Sequence, residues 1–117
     1  MTNPQKQKGN AYERSIVTFL RERGYSVDRT RAGWADDRGD VHGLHHPRLG
    51  PFTIECKNHR AMALSSWMGE LAREVAANGG TLGAVVHKRK GVADANEQYA
   101  TLPFGMLVQL LKEAGYE

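Results

Sequence analysis

Residues 50–58 read Gly50-Pro51-Phe52-Thr53-Ile54-Glu55-Cys56-Lys57-Asn58, and the alternation from Phe52 to Lys57 decides the fold. Side chains on a strand point to opposite faces with period two. Phe52, Ile54 and Cys56 therefore share one face, which reads as core, with Cys56 a small buried hydrophobe rather than a nucleophile. Thr53, Glu55 and Lys57 share the other. There a carboxylate and an ammonium lie about 6–7 Å apart along the strand.

Working outward toward the N-terminus, Asp40 to Leu44 reads as the preceding strand, with Asp40 and His42 on one face. His45 to Pro51 carries two prolines and a glycine and reads as a hairpin turn. The adjacent His45 and His46 lack the spacing of metal ligands. If the two strands pair, Asp40 lies beside Glu55, and two such carboxylates repel unless a cation lies between them. Further upstream, a helix is expected from Gly9-Asn10, with Asn10 as N-cap and Tyr12, Ile16, Phe19 and Leu20 at helical spacing. Gly24 ends it, and Tyr25 to Arg29 reads as a strand with Tyr25 and Val27 on one face. Residues 30 to 38 read as a polar loop carrying Trp34, Asp36 and Asp37. Glu13 falls at the border of the helix's apolar face, where it can turn toward the polar end of the sheet. Pairing with Arg14 or Lys8 is the plainer reading of that glutamate.

Toward the C-terminus, Leu64, Trp67, Met68, Leu71 and Val75 mark an amphipathic helix stopped by Asn78-Gly79-Gly80. Leu82 to Val86 is a short apolar strand that runs into His87-Lys88-Arg89-Lys90. Gln98 to Leu102 reads as a last strand, and Met106, Leu107, Leu110, Leu111 and Ala114 define a final helix. The order α-β-β-β-α-β-(β)-α implies an α/β fold with a central mixed β-sheet flanked by helices. Residues 1–8 are expected to form a flexible basic arm and residues 9–117 a single domain.

Composition narrows the function classes. A chain of 117 residues buries one modest core. Its single cysteine excludes an internal disulfide and a multi-cysteine zinc site. No apolar run approaches the roughly 20 residues that span a bilayer, and the polar N-terminus does not resemble a signal peptide. A cytoplasmic protein without membrane association is expected, in the host cytoplasm if it is viral. The net charge of +3 is mild, but its distribution is not. Lys6, Lys8, Arg14, Arg21, Arg23, Arg29, Arg31 and Arg38 crowd the first third, and Lys88-Arg89-Lys90 forms a second cluster. Arg29 and Arg31 fall near the candidate site and suit phosphate contact or pairing with Asp36 or Asp37. The cluster at 88–90 follows a core strand and suits a DNA backbone, which confers affinity without sequence specificity.

The chemistry that fits paired carboxylates beside a lysine is phosphodiester hydrolysis. A hard cation such as Mg²⁺ takes oxygen ligands, so one or two carboxylates and a substrate phosphate suffice to hold it. An adjacent lysine stabilises charge on the reacting phosphate or positions the attacking water.

These residues resemble the PD-(D/E)XK nuclease superfamily, and more closely the archaeal-type Holliday junction resolvases and their bacteriophage relatives. The matching segments are Lys8-Gly9-Asn10-Ala11-Tyr12-Glu13-Arg14, Gly39-Asp40-Val41, Ile54-Glu55-Cys56-Lys57, and Asn78-Gly79-Gly80 before a Val-rich strand. The resemblance covers about residues 8 to 90 and implies a restriction-endonuclease-like core. It implies that Asp40, Glu55 and the Cys56 backbone carbonyl ligate Mg²⁺ or Mn²⁺. Lys57 would be the catalytic lysine and Glu13 an outer-sphere acid, with Lys8 and Arg14 on backbone phosphates. It further implies a homodimer that nicks opposed strands of a four-way junction in DNA recombination and repair. Three departures stand out. Gly39 replaces the proline of the motif name, the loop before Asp40 carries Trp34 where resolvases often have a serine, and the hairpin holds His45-His46-Pro47. A repair or restriction-like nuclease of the same superfamily is the alternative, and a non-catalytic DNA-binding protein the more distant one.

Overall fold

The computed structural model describes residues 3–30 and 39–117, so the expected contacts of Arg31, Trp34, Asp36, Asp37 and Arg38 lie outside the described residues. The elements run α1 (Pro4–Glu22), β1 (Asp28–Arg29), β2 (Val41–His42), β3 (His45–His46), β4 (Gly50–Lys57), α2 (Leu64–Ala77), β5 (Leu82–His87), a 3₁₀ turn (Ala95–Glu97), β6 (Tyr99–Thr101) and α3 (Phe104–Glu113). The sheet order is β1-β2-β4-β5-β6, with β3 paired to the first part of β4. β4 is the central strand. It runs parallel to β5 from the pair Phe52↔Leu82 to the pair Lys57↔His87 and antiparallel to β2 at Val41↔Ile54. The parallel pair needs a crossover, and α2 supplies it.

The period-two alternation of β4 places one set of side chains under each helix. On one face Ile54 packs with Val41, Val27 and the α1 residues Tyr12, Ile16 and Val17, and Cys56 is partly buried against them. On the other face Trp67, Leu71 and Val75 of α2 close over Val85, with Met106 of α3 partly buried beside them. Each fully buried side chain of this kind contributes about 1.5–3 kcal/mol. Packing, rather than intrinsic propensity, therefore holds the helices on the sheet. This is the mixed sheet flanked by helices that the element order implied.

Three local readings are corrected. α1 starts at Pro4 rather than at Asn10, because Asn3 caps it through a hydrogen bond from Gln5 N to its side chain (2.9 Å). Pro4 follows at a position where a missing N–H costs nothing. Residues 4–8, expected as part of a flexible arm, are helical, and Gly9 is an interior helix residue. The strand expected from Tyr25 shrinks to Asp28–Arg29, because Tyr25 N bonds back to Leu20 O (3.1 Å) in the helix cap and its side chain stays exposed. His45 and His46 are not turn residues. They form β3, and His46 Nδ1 accepts the backbone N–H groups of Arg48 (3.0 Å) and Leu49 (3.1 Å), closing a tighter turn. The break between β2 and β3 is at Gly43, which has φ +119°; a Cβ there would sit 2.3 Å from Ser26 O.

Candidate active site

The carboxyl end of β4 holds the candidate chemistry because β2 and β4 place their residues side by side there. Val41 is opposite Ile54, so Asp40 falls next to Glu55. Backbone bonds tie the segment down, with Asp40 N donating to Ile54 O (2.7 Å) and Cys56 N donating to Asp40 Oδ2 (2.7 Å). The approach is so close that Gly39 has φ +91°, and a Cβ there would lie 2.8 Å from Thr53 Cγ2 and 2.9 Å from Ile54 O. Proline, confined to φ near −65°, cannot adopt this conformation. Gly39 is thus a requirement of this backbone rather than a neutral replacement for the motif's proline.

Four carboxylates follow one another through the site. Glu13 from α1 and Glu55 from β4 both lie within hydrogen-bonding reach of Asp40, and Glu74 from α2 lies within reach of Glu55. Burial and the neighbouring Glu55 push the Asp40 carboxyl up to about 8. Burial and Glu74 push Glu55 up to about 8 as well. Glu13 is raised by burial and by Asp40, against the lowering influence of Arg29. Such groups hold protons in the absence of a cation and release them to one. Burial opposes the charge of Lys57, but its bond to Glu70 and the nearby Glu55 outweigh burial and raise its pKa.

Arg29, expected at phosphate, is committed within the protein. Its Nη2 donates to Glu13 Oε2 (2.7 Å) and to Asn10 Oδ1 (2.8 Å), and its Nε donates to Glu13 Oε2 (3.0 Å). Glu13 therefore pairs with Arg29 rather than with Arg14 or Lys8. His42 is a hydrogen-bonded strand neighbour, with Nε2 at 2.6 Å from Thr30 Oγ1. Trp67 is a core residue of α2.

A cleft of about 1120 Å³ opens over this floor. Glu13, Asp40 and Glu55 line its bottom, and Lys6, Lys8, Arg60, Lys88 and Lys90 stand around it. Arg14 lies outside it, in a separate groove with Arg21 and Arg29. The cluster at 88–90 divides. Lys88 Nζ donates to Arg89 O (2.7 Å) and Val92 O (2.5 Å), while the Arg89 guanidinium stacks 4.7 Å from the Tyr99 ring centre, away from the cleft.

Sequence reasoning missed Arg60, His59, Glu70 and Glu74. Glu70 and Glu74 had a signal, since they fall three and seven residues after Trp67, on the apolar stripe that includes Leu71 and Val75. Oxygens of Glu55, Glu70 and Glu74 all lie within 4.8 Å of one another. Lys57 Nζ donates to Glu70 Oε2 (2.6 Å). Among the described residues no helix is long and apolar enough to cross a membrane.

Comparison with known proteins gives a family match. The family model for the archaeal Holliday junction resolvase (Hjc) matches residues 4–66, a little over half of the chain, and that span includes Glu13, Asp40, Glu55 and Lys57. No curated protein matches the chain. On the strength of the family match, the chain belongs to the archaeal Holliday junction resolvase family, a family of PD-(D/E)XK-type nucleases.

Proposed function

We propose that this protein is a divalent-metal-dependent endonuclease that resolves four-way DNA junctions by paired phosphodiester hydrolysis. The observation that carries the reading is the partly to fully buried run Glu13–Asp40–Glu55, which lines a cleft with a cationic rim and has Lys57 beside Glu55. Asp40, Glu55 and the Cys56 backbone carbonyl offer the hard oxygen donors that Mg²⁺ or Mn²⁺ takes. The two raised carboxyl groups fit a cation, since their mutual repulsion disappears when one lies between them. When bound, the cation supplies Lewis-acid polarisation of the phosphate and makes water acidic enough to be a nucleophile.

The protein's own groups do the rest. The Lys57 ammonium stabilises negative charge as it builds on the scissile phosphate. Glu13, oriented by Arg29, holds water near Asp40 from outside the donor set. Lys8, Lys88 and Lys90 meet backbone phosphates across the cleft, joined by Lys6 and Arg60, and Arg14 does so from the neighbouring groove. Arg29 acts through Glu13, and Arg89 is taken up by Tyr99.

Cutting opposed strands requires two sites, and we assign the second to another copy of the chain. α3 leaves Phe104, Leu107, Val108 and Leu111 exposed along one helix, an apolar face suited to self-association. Sedimentation at low micromolar concentration should give a dimer, and a monomer would remove paired cutting from the proposal. The central test is cleavage of a synthetic four-way junction with Mg²⁺. Junction cleavage well above that of linear duplex is expected, and equal rates would refute junction specificity. Activity that survives Glu55→Ala would refute the site.

A further inference from the structure

The catalytic lysine of the proposed site does not stand alone. Lys57 is near the end of β4, and its side chain is only 11% exposed. Its ammonium reaches Glu70 on α2, across the gap between sheet and helix, with Nζ 2.6 Å from Oε2. Glu70 is itself two-thirds covered, so the pair is shielded from much of the screening that makes surface ion pairs weak. The bond is charge-assisted and joins two separately anchored elements.

The spacing explains why α2 can hold the lysine there. Four residues of helix rise about 6 Å, and two residues of strand rise about 6.6 Å. Glu70 and Glu74 on α2 therefore keep step with Lys57 and Glu55 on β4. Trp67, Leu71 and Val75, on the same stripe of α2, seat the helix against Val85 and fix that register. A lysine has a long flexible stem, and an unanchored ammonium would sample many positions.

We propose that Glu70 is the positioning residue for Lys57, anchoring its ammonium beside Glu55 in the one orientation from which it meets the scissile phosphate. This inference rests on the proposed nuclease function. Glu70 acts through Lys57 and touches no substrate. Misplacing a catalytic group by about 1 Å can cost on the order of 10²-fold in rate. Loss of Glu70 should therefore slow the chemical step and leave DNA affinity unchanged.

The test is a double-mutant cycle in single-turnover cleavage of a four-way junction at saturating Mg²⁺. Glu70→Ala should lower the rate by about 10²-fold with unchanged junction Kd and unchanged Mg²⁺ dependence. Glu70→Gln keeps an oxygen acceptor for the ammonium and should recover most of that rate. On a Lys57→Ala background, Glu70→Ala should cost nothing further, because residues that act through one contact are not additive. Additive losses would overturn the proposal, and a shifted Mg²⁺ dependence would make Glu70 a metal ligand instead.

A second readout is independent of cleavage. In lysine-selective nitrogen NMR, the Lys57 ammonium, assigned by its loss in Lys57→Ala, should exchange slowly in the wild-type protein and rapidly in Glu70→Ala. Rapid exchange in the wild type would overturn the anchoring even if Glu70→Ala failed to fold. A wild-type protein that leaves the junction intact would refute the proposed function instead, and the exchange result would still decide the anchoring.

Discussion

The two faces of β4 are built from alternate residues of one strand, yet they do opposite work. The face toward α1 is apolar at its centre, with Ile54 packed among Tyr12, Ile16, Val17 and Val41. The face toward α2 begins as core at Thr53 and ends in buried carboxyl groups, with Glu55 only 7% exposed and Glu74 only 3%. Burying apolar surface stabilises a fold, whereas burying like charges opposes it. The difference teaches where this small domain holds its stability and where, on the proposed reading, it gives some up for catalysis.

The sharpest way to break that contrast is to neutralise the charged face. Glu55→Gln keeps the shape and removes the charge, so junction cleavage with Mg²⁺ should fall by about 10²–10³-fold. Above about pH 8, where Glu55 is ionised, thermal unfolding of the metal-free variant should occur at or above the wild-type temperature, because a buried charge without a compensating cation is removed. A clear loss of stability would show that Glu55 supports the fold. The mirror experiment is Ile54→Ala, one residue away on the other face. Urea unfolding should show a loss of about 2–5 kcal/mol, and a loss below 1 kcal/mol would mean that the α1 face is not the main core.

A pH titration sharpens the comparison further. Asp40 and Glu55 sit at about 8 in the fold, against ordinary values of 3.8 and 4.5. Between those limits the folded state holds more protons than the unfolded one, so stability falls as pH rises. Metal-free protein should therefore lose stability from about pH 4 to pH 8 and level off above it. Saturating Mg²⁺ should flatten or reverse the slope, since it binds the deprotonated pair. A flat profile without metal would place the two carboxylates in contact with water. The smallest expected effect lies at the seam between the faces. Gly39→Ala should cost about 1–3 kcal/mol, because its φ of +91° is strained for any side chain. Restoring the proline of the motif name should cost at least as much.

Much of this site was legible without coordinates, and the reason is local. Strand alternation alone put Glu55 and Lys57 together and set Cys56 on the α1 face, and the hairpin pattern put Asp40 beside Glu55. The helix reading failed at its start because Gly9 and Asn10 look like a boundary, while the Asn3–Pro4 pair that caps the helix lies further out. His45 and His46 were misread because two prolines and a glycine imitate a longer turn. Glu70 and Glu74 went unremarked on an apolar stripe, where isolated glutamates pass for boundary residues.

By itself, the sequence determined the α/β order, the central strand and the residues of the acidic motif with its lysine. Those features follow from backbone periods of 2 and 3.6 residues, which act over a few neighbours. Only the tertiary structure decided that Arg29 orients Glu13, that Glu70 holds Lys57, that Gly39 needs a left-handed backbone, and that the basic cluster at 88–90 splits. Each of those depends on which element packs against which and in what register. Segments 10 to 16 residues apart in the chain meet there, and no local period specifies the contact.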